Sequence, residues 1–228
     1  MPEKLIVGFP LYRQIPSEVF SNWLAIDHSP MVATVTIETP YICSSMDTIV
    51  SEALASESEW DRLVIFEQDM VPPKDGLLRM AHYPPGADIV GSMYFQHTAP
   101  CNCHVFIEDL THEGSYSPIT PQTVKEWTDD PCLHRCGAVG FGFTGISRHV
   151  LKAWDHDKYP MFATGIDGLG SHDLYFCDRA RKQGHSIYVD SGLVCGHLSN
   201  ISVGLEDNQR YAHMIDGEEI LDFEYPGA

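Results

Sequence analysis

Short apolar runs rich in β-branched residues alternate along the chain with longer stretches whose apolar positions recur at helical spacing. The runs predict strands at residues 5–9, 32–37, 63–66, 89–94 and 187–189, and a further one, interrupted by glycines, at 139–144. Between them, residues 17–26 set Val19, Phe20, Trp23, Leu24 and Ile26 on one stripe behind Ser17, a residue type suited to an N-cap. Residues 45–55, 75–82 and 147–154 read as helices too, the second of these bracketed by Pro72, Pro73, Pro84 and Pro85. Strand and helix in alternation predict βαβ units, hence an α/β fold with a mostly parallel central sheet flanked by helices in a single domain over 1–228. Residues 96–136 break the rhythm. They are dense in Pro, Cys, His, Thr and Ser and read as an irregular Cys/His-rich excursion of the kind that carries specificity.

Composition changes the picture mainly by exclusion. With 14 Lys+Arg against 32 Asp+Glu among 228 residues the formal charge is −18, which disfavours nucleic acid and anionic membranes as partners. Part of this charge is local. Glu206, Asp207, Asp216, Glu218, Glu219, Asp222 and Glu224 face only Arg210, so 199–228 reads as an acidic, solvated C-terminal segment. The longest apolar runs fall far short of the ~20 residues a spanning helix needs, and MPEKLIVGFP lacks a signal peptide's apolar core, so a cytoplasmic protein is expected. Seven cysteines, an odd number, fit a reducing compartment better than a disulfide framework.

Three segments carry chemistry. In DRLVIFEQDMVPP a strand runs into Glu67-Gln68-Asp69 and is stopped by prolines. Ligands of open parallel sheets bind beyond the carboxyl ends of strands, and two acids spaced by one residue there either hold a hard divalent cation or are ordinary loop acids. Asp155-His156-Asp157 has the same spacing but follows a predicted helix and reads as a solvated loop. In GSHDLYFCDRARKQGHSIYVD, Ser171 is an N-cap type, Leu174, Cys177 and Ala180 repeat at helical spacing and Gly184 stops the helix. Asp173 thus falls in a first turn, where the helix dipole favours a carboxylate; such an acid accepts a proton in a reaction or simply stabilises its helix. In CGAVGFGFTGISRHVLKAW, Gly137, Gly140, Gly142 and Gly145 interrupt apolar residues, which permits close approach of a ligand or marks bulges. These glycines lack the later glycine and acid of a dinucleotide fingerprint.

Together with His197 in GLVCGHL, these segments resemble the nucleotide-sugar glycosyltransferases of the GT-A fold, especially family 2-like members. The order matches over about residues 4–198: a first strand with a Pro/Tyr loop, a strand ending in a DxD-type element, a glycine-rich acceptor segment, an ED-type helix and a later His. The resemblance implies a GT-A-like (Rossmann-like) domain and a hexosyl transfer from a nucleotide-diphosphate donor (a UDP-, GDP- or dTDP-sugar) to a hydroxyl of a protein, glycan or small molecule. It implies that Asp69 and His197 ligate Mn²⁺ or Mg²⁺ and that Glu67 lies near the ribose or a metal-bound water. It further implies that Asp173 is the base of an inverting reaction, that Pro10, Tyr12, Glu38 and Glu67 meet the nucleotide, and that Gly140, Gly142 and His172 face the acceptor. The chain departs from the pattern in three places: ExD replaces DxD, His172 stands where a Glu is usual before the catalytic Asp, and ICSSMD lacks the Arg common at the start of the helix after the second strand.

Cys101 and Cys103, with His104 between them and the next pair, and Cys132 and Cys136, with His134, form two clusters that a structural Zn²⁺ would cross-link; free thiols or small buried residues are the alternative. Against a glycosyltransferase stand a nucleotidyltransferase, for which GFPLYRQIP makes a poor phosphate loop, and a catalytically silent sugar- or metal-binding module.

Overall fold

The computed structural model describes residues 2–12, 14–97, 100–108 and 115–198 and the backbone of a two-residue strand at Ser202–Val203; apart from that strand, the acidic segment 199–228 lies outside the described residues. In chain order the elements are β1 (Leu5–Leu11), α1 (Ser17–Ala25), β2 (Met31–Glu38), α2 (Ile42–Ala55), β3 (Arg62–Phe66), β4 (Met70–Val71), α3 (Gly76–Met80) and β5 (Ile89–Met93). There follow β6 (Val105–Glu108), β7 (Tyr116–Pro118), α4 (Pro121–Asp129), β8 (Leu133–Arg135), β9 (Ala138–Val139), β10 (Phe143–Ser147), α5 (Arg148–Lys152), α6 (His172–Lys182), β11 (Ile187–Val194), β12 (Gly196–Leu198) and β13 (Ser202–Val203). Among the described residues no helix is long and apolar enough to cross a membrane.

The central sheet has seven strands in the order β2-β1-β3-β10-β5-β11-β8. Five strands share one direction, while β10 and β8 run against their neighbours. The mostly parallel α/β sheet expected from the alternation is therefore present, with helices on its faces. Its inner strands β1 and β3 carry consecutive buried apolar residues, Leu5–Val7 and Leu63–Phe66, because both faces are covered. Along β1 and β3, Ile6, Leu63 and Ile65 pack into one core with Met46, Ile49 and Val50 of α2, while Leu5, Val7, Val64 and Phe66 enter a second with Val19 of α1 and Leu77 and Met80 of α3. The edge strand β2 alternates half-buried and exposed positions instead, as a strand covered on one face must.

Three local expectations change. The glycine-interrupted strand at 139–144 is two strands: β9 joins a small sheet in the order β7-β6-β9, and β10 lies antiparallel between β3 and β5 in the main one. The segment 96–136 holds regular structure, since β6, β7, α4 and β8 all lie within it; its helix is capped by the Thr120 hydroxyl, which accepts from the Thr123 N–H at 3.1 Å. Ser17 and Ser171 do not cap with their side chains: Pro16 is the N-cap residue of α1, and the Ser171 hydroxyl donates to the Asp173 carboxylate instead of accepting from its helix.

Candidate functional site

The site lies beyond the carboxyl ends of β1, β2 and β3, where parallel strands open a crevice. After β3 the chain turns at Glu67-Gln68-Asp69, the turn closed by the Met70 N–H donating to the Glu67 carbonyl at 3.2 Å. It then re-enters pairing as β4, which joins β12 and β13 in a third sheet. His197 sits directly across from Met70 in antiparallel register, and the Leu198 N–H donates to the Asp69 carbonyl at 2.7 Å. Backbone pairing alone thus sets His197 beside Asp69, with Nε2 3.4 Å from Oδ2.

A third side chain closes the group. His97 brings its Nε2 to 3.9 Å from the same Asp69 oxygen, and its ring lies 3.5 Å from that of His197, centroid to centroid. One ligand atom from each of Asp69, His97 and His197 falls within 4.8 Å of the others. The His197 Nδ1 is 2.8 Å from the Phe95 carbonyl; a carbonyl only accepts, so Nδ1 carries a proton and Nε2 is the nitrogen turned toward Asp69. The Asp69 Oδ1 and the His97 Nδ1 are buried and have no hydrogen-bond partner among the described residues. One carboxylate, two imidazoles and an unsatisfied buried oxygen suit a divalent cation. Sequence reasoning missed His97, whose only signal was its place in a His-rich stretch.

Glu67 is not one of the three residues of this group. The turn directs it the other way, so that its Oε1 lies 3.9 Å from the His172 Nε2. Burial, with Asp69 and Asp173 nearby, pushes its carboxyl up to about 8. Asp173 is 7% exposed in the first turn of α6, and its Oδ1 accepts from the Leu174 N–H at 2.8 Å and from Ser171. Its charge acts on Glu67, His104, His172 and Tyr94, so it faces the same interior. His172 is held below the usual imidazole range by burial, and its Nε2 has no hydrogen-bond partner among the described residues.

A cleft of about 240 Å³ adjoins Asp69, lined by Pro10, Leu11, Tyr12, Thr39, Pro40, Ile42, Ser45, Glu67, Gln68 and Asp69. Pro10, Tyr12 and Glu67 are thus together, and Tyr12 is tied to the turn by its N–H donating to the Gln68 Oε1 at 2.7 Å. Glu38 ends β2 opposite Leu11 and is exposed; Thr39 and Pro40 line the cleft in its stead. Ile42 and Ser45 belong to the first turn of α2, so the positive end of that helix looks into the cleft. No Lys or Arg stands among these lining residues.

Gly140 and Gly142 are each approached closely by a side chain of the protein itself. A Cβ on Gly140 would meet the Tyr94 Oη at 2.0 Å, and one on Gly142 the Met70 Sδ at 2.7 Å. What approaches these glycines is the protein's own Tyr94 and Met70, and the Gly142 N–H donates to the Tyr94 hydroxyl at 3.3 Å. Tyr94 in turn stacks on His104, 4.5 Å between centroids, and meets the His197 ring edge-on at 5.2 Å. The glycines therefore seat an aromatic wall behind His197.

The zinc expectation is not met. Among the described residues, neither group close enough to hold an ion contains a cysteine. Cys103 and Cys136 are buried in the core, and burial pushes the Cys136 thiol up to about 12. Cys132 is exposed, its sulfur 3.3 Å from the His134 Nε2. Core packing accounts for the buried thiols, and no disulfide joins cysteines among the described residues.

The crystal structure of A197 from STIV superposes with a TM-score of 0.65 at 17% identity, covering 90% of this chain and 91% of that one. A crystal structure of GalNAc-T7 with UDP, GalNAc and Mn²⁺ gives a TM-score of 0.58 at 9% identity, covering 87% of this chain and 43% of the other. This chain has a GT-A-like fold. It spans less than half the length of the GalNAc-T7 chain, and no protein-family model or curated protein sequence matches it. In a GT-A-like fold the crevice beyond β1, β2 and β3, with Asp69, His97 and His197 at its margin, is the natural place for a ligand.

Proposed function

We propose that the chain is a metal-dependent glycosyltransferase that moves a sugar from a nucleotide-diphosphate donor to a hydroxyl acceptor, with inversion at the anomeric carbon. The observation that carries this reading is the convergence of Asp69, His97 and His197 on one side of the strand-end cleft, with Asp173 facing the same interior. The solved GalNAc-T7 structure, which holds UDP, GalNAc and Mn²⁺ in a similar fold, supports it.

In this reading Pro10, Tyr12 and the β2–α2 junction hold the nucleoside, and the first turn of α2 lays its free N–H groups toward the diphosphate. Asp69, His97 and His197 hold the cation; two imidazoles in three disfavour Mg²⁺, which binds mainly oxygen, and favour Mn²⁺. When bound, the ion supplies positive charge that stabilises the departing diphosphate. In a chain of net charge −18, such local positive charge offsets the repulsion that an anionic donor meets. Asp173 removes the proton of the acceptor hydroxyl as its oxygen bonds to the anomeric carbon. The bond from that carbon to the phosphate oxygen breaks, and the nucleoside diphosphate leaves with the electron pair. His172 and Glu67, facing each other beside Asp173, position the acceptor.

A screen of UDP-, GDP- and dTDP-sugars with Mn²⁺, reading nucleoside diphosphate release together with protein melting, tests the proposal. Release from one donor that disappears in Asp69→Asn and Asp173→Asn is expected. No response to any donor, or release that both variants retain, overturns it.

A further inference from the structure

At the opposite end of the sheet, where β5 and β11 begin, lies a second cluster with the same donor types. Asp88 directly precedes β5, His149 lies in the first turn of α5, and His185 lies in the turn between α6 and β11. Their ligand atoms fall within 4.8 Å of one another: the His149 Nε2 is 2.9 Å from the Asp88 Oδ1, and the His185 Nδ1 is 3.8 Å from the Asp88 Oδ2. We propose that Asp88, His149 and His185 bind one Zn²⁺ ion and that this site is separate from the strand-end cleft.

The spacing is suitable. A tetrahedral ion with bonds of about 2.0–2.1 Å keeps its ligand atoms about 3.3 Å apart, and the two ring nitrogens stand 2.9 and 3.8 Å from the two oxygens of the Asp88 carboxylate, either side of that value. The carboxylate is also held in place. Its Oδ2 accepts from the Ser186 N–H at 2.8 Å and from the Ser186 hydroxyl at 3.1 Å, while the Asp88 N–H donates to the same hydroxyl at 3.2 Å. The Asp88 carbonyl accepts from the Ser147 N–H at 2.8 Å and from the Arg62 guanidinium at 3.5 Å. Outer contacts of this kind orient a ligand before the ion arrives.

A simple ion pair explains less. One protonated histidine satisfies one carboxylate, whereas two protonated rings 5.9 Å apart repel each other. Two neutral imidazoles and one carboxylate around a divalent cation balance. The donor set of two nitrogens and one oxygen suits Zn²⁺ and leaves a fourth position for water on the solvent side, where the His149 side chain is 61% exposed. Bound there, the ion clips α5 and the α6–β11 turn to the start of β5.

The test is a calorimetric Zn²⁺ titration of the full chain without an affinity tag, repeated on His149→Ala, His185→Gln and His197→Ala. Because His149 is mostly exposed, its removal leaves the fold intact, which melting without metal verifies. Loss of one equivalent of Zn²⁺, or at least a tenfold weakening of it, in both His149→Ala and His185→Gln is expected, together with loss of the Zn²⁺-dependent rise in melting temperature; His197→Ala keeps both. Zn²⁺ binding that His149→Ala and His185→Gln leave unchanged, or that only His197→Ala removes, overturns the proposal.

Discussion

The Asp69 carboxylate and the His197 imidazole meet, 3.4 Å apart, because their backbones are paired, with the Leu198 N–H donating to the Asp69 carbonyl at 2.7 Å. The residues lie far apart in the chain, yet β4 and β12 fix their relative height. The His197 ring is then oriented by the Phe95 carbonyl, and His97 completes the group.

His97→Ala is expected to weaken Mn²⁺ binding about 10- to 100-fold, and His197→Ala more, because His197 is both oriented and buried. Mn²⁺ titrations followed by calorimetry check this. Equal affinity in His97→Ala and wild type would remove His97 from the ligand set.

In the proposed inverting mechanism, Asp173→Asn removes the base while keeping nearly the same volume. Sugar transfer is expected to fall about 10²–10⁴-fold, while Mn²⁺ affinity and the donor-induced melting shift stay at wild-type values. Parallel measurement of the three quantities separates loss of a base from loss of the site.

Gly140→Ala is expected to destabilise the fold by about 1–3 kcal/mol, since its Cβ would meet the Tyr94 Oη at 2.0 Å. Tyr94→Phe leaves the Gly142 N–H without its partner and costs about 1–3 kcal/mol. In the double variant the two costs should sum to more than the measured loss, because removing the hydroxyl relieves the worst contact and leaves only the ring carbon Cζ, at 2.7 Å, to shift. Urea unfolding of the four proteins checks the cycle; strict additivity would show that the clash is relieved elsewhere.

Burial raises the thiols of Cys103, Cys136, Cys177 and Cys195 above their ordinary value of 9.0. The unfolded chain therefore releases these protons first as pH rises. Their stabilising contribution is complete below pH 9 and is lost above it, by up to about 1.4 kcal/mol per thiol for each pH unit as far as the raised value. Urea midpoints at about pH 8 and about pH 10 should differ accordingly, and replacing Cys177 with Ala should reduce the slope.

Strand and helix positions were legible in the chain because they rest on local periodicity. The runs at 5–9 and 63–66 are apolar on consecutive residues, as strands covered on both faces must be, and the observed elements extend them by one or two residues. Asp69, His197 and Asp173 stand out as candidates through their setting: a strand end, a late His and a first helical turn, in an order resembling a known family. What periodicity cannot encode is pairing between distant segments. His97 had no neighbouring pattern to mark it, and only the fold sets it against His197. Glu67 and Asp69 share a tripeptide, yet the turn between them sends one toward His172 and the other toward His197. Gly140 and Gly142 told that something approaches closely, but whether a ligand or Tyr94 fills that space is a matter of tertiary packing. Composition and local spacing thus settle which segments become strands and helices, whereas the direction of each functional side chain follows from contacts that close only when the sheets assemble.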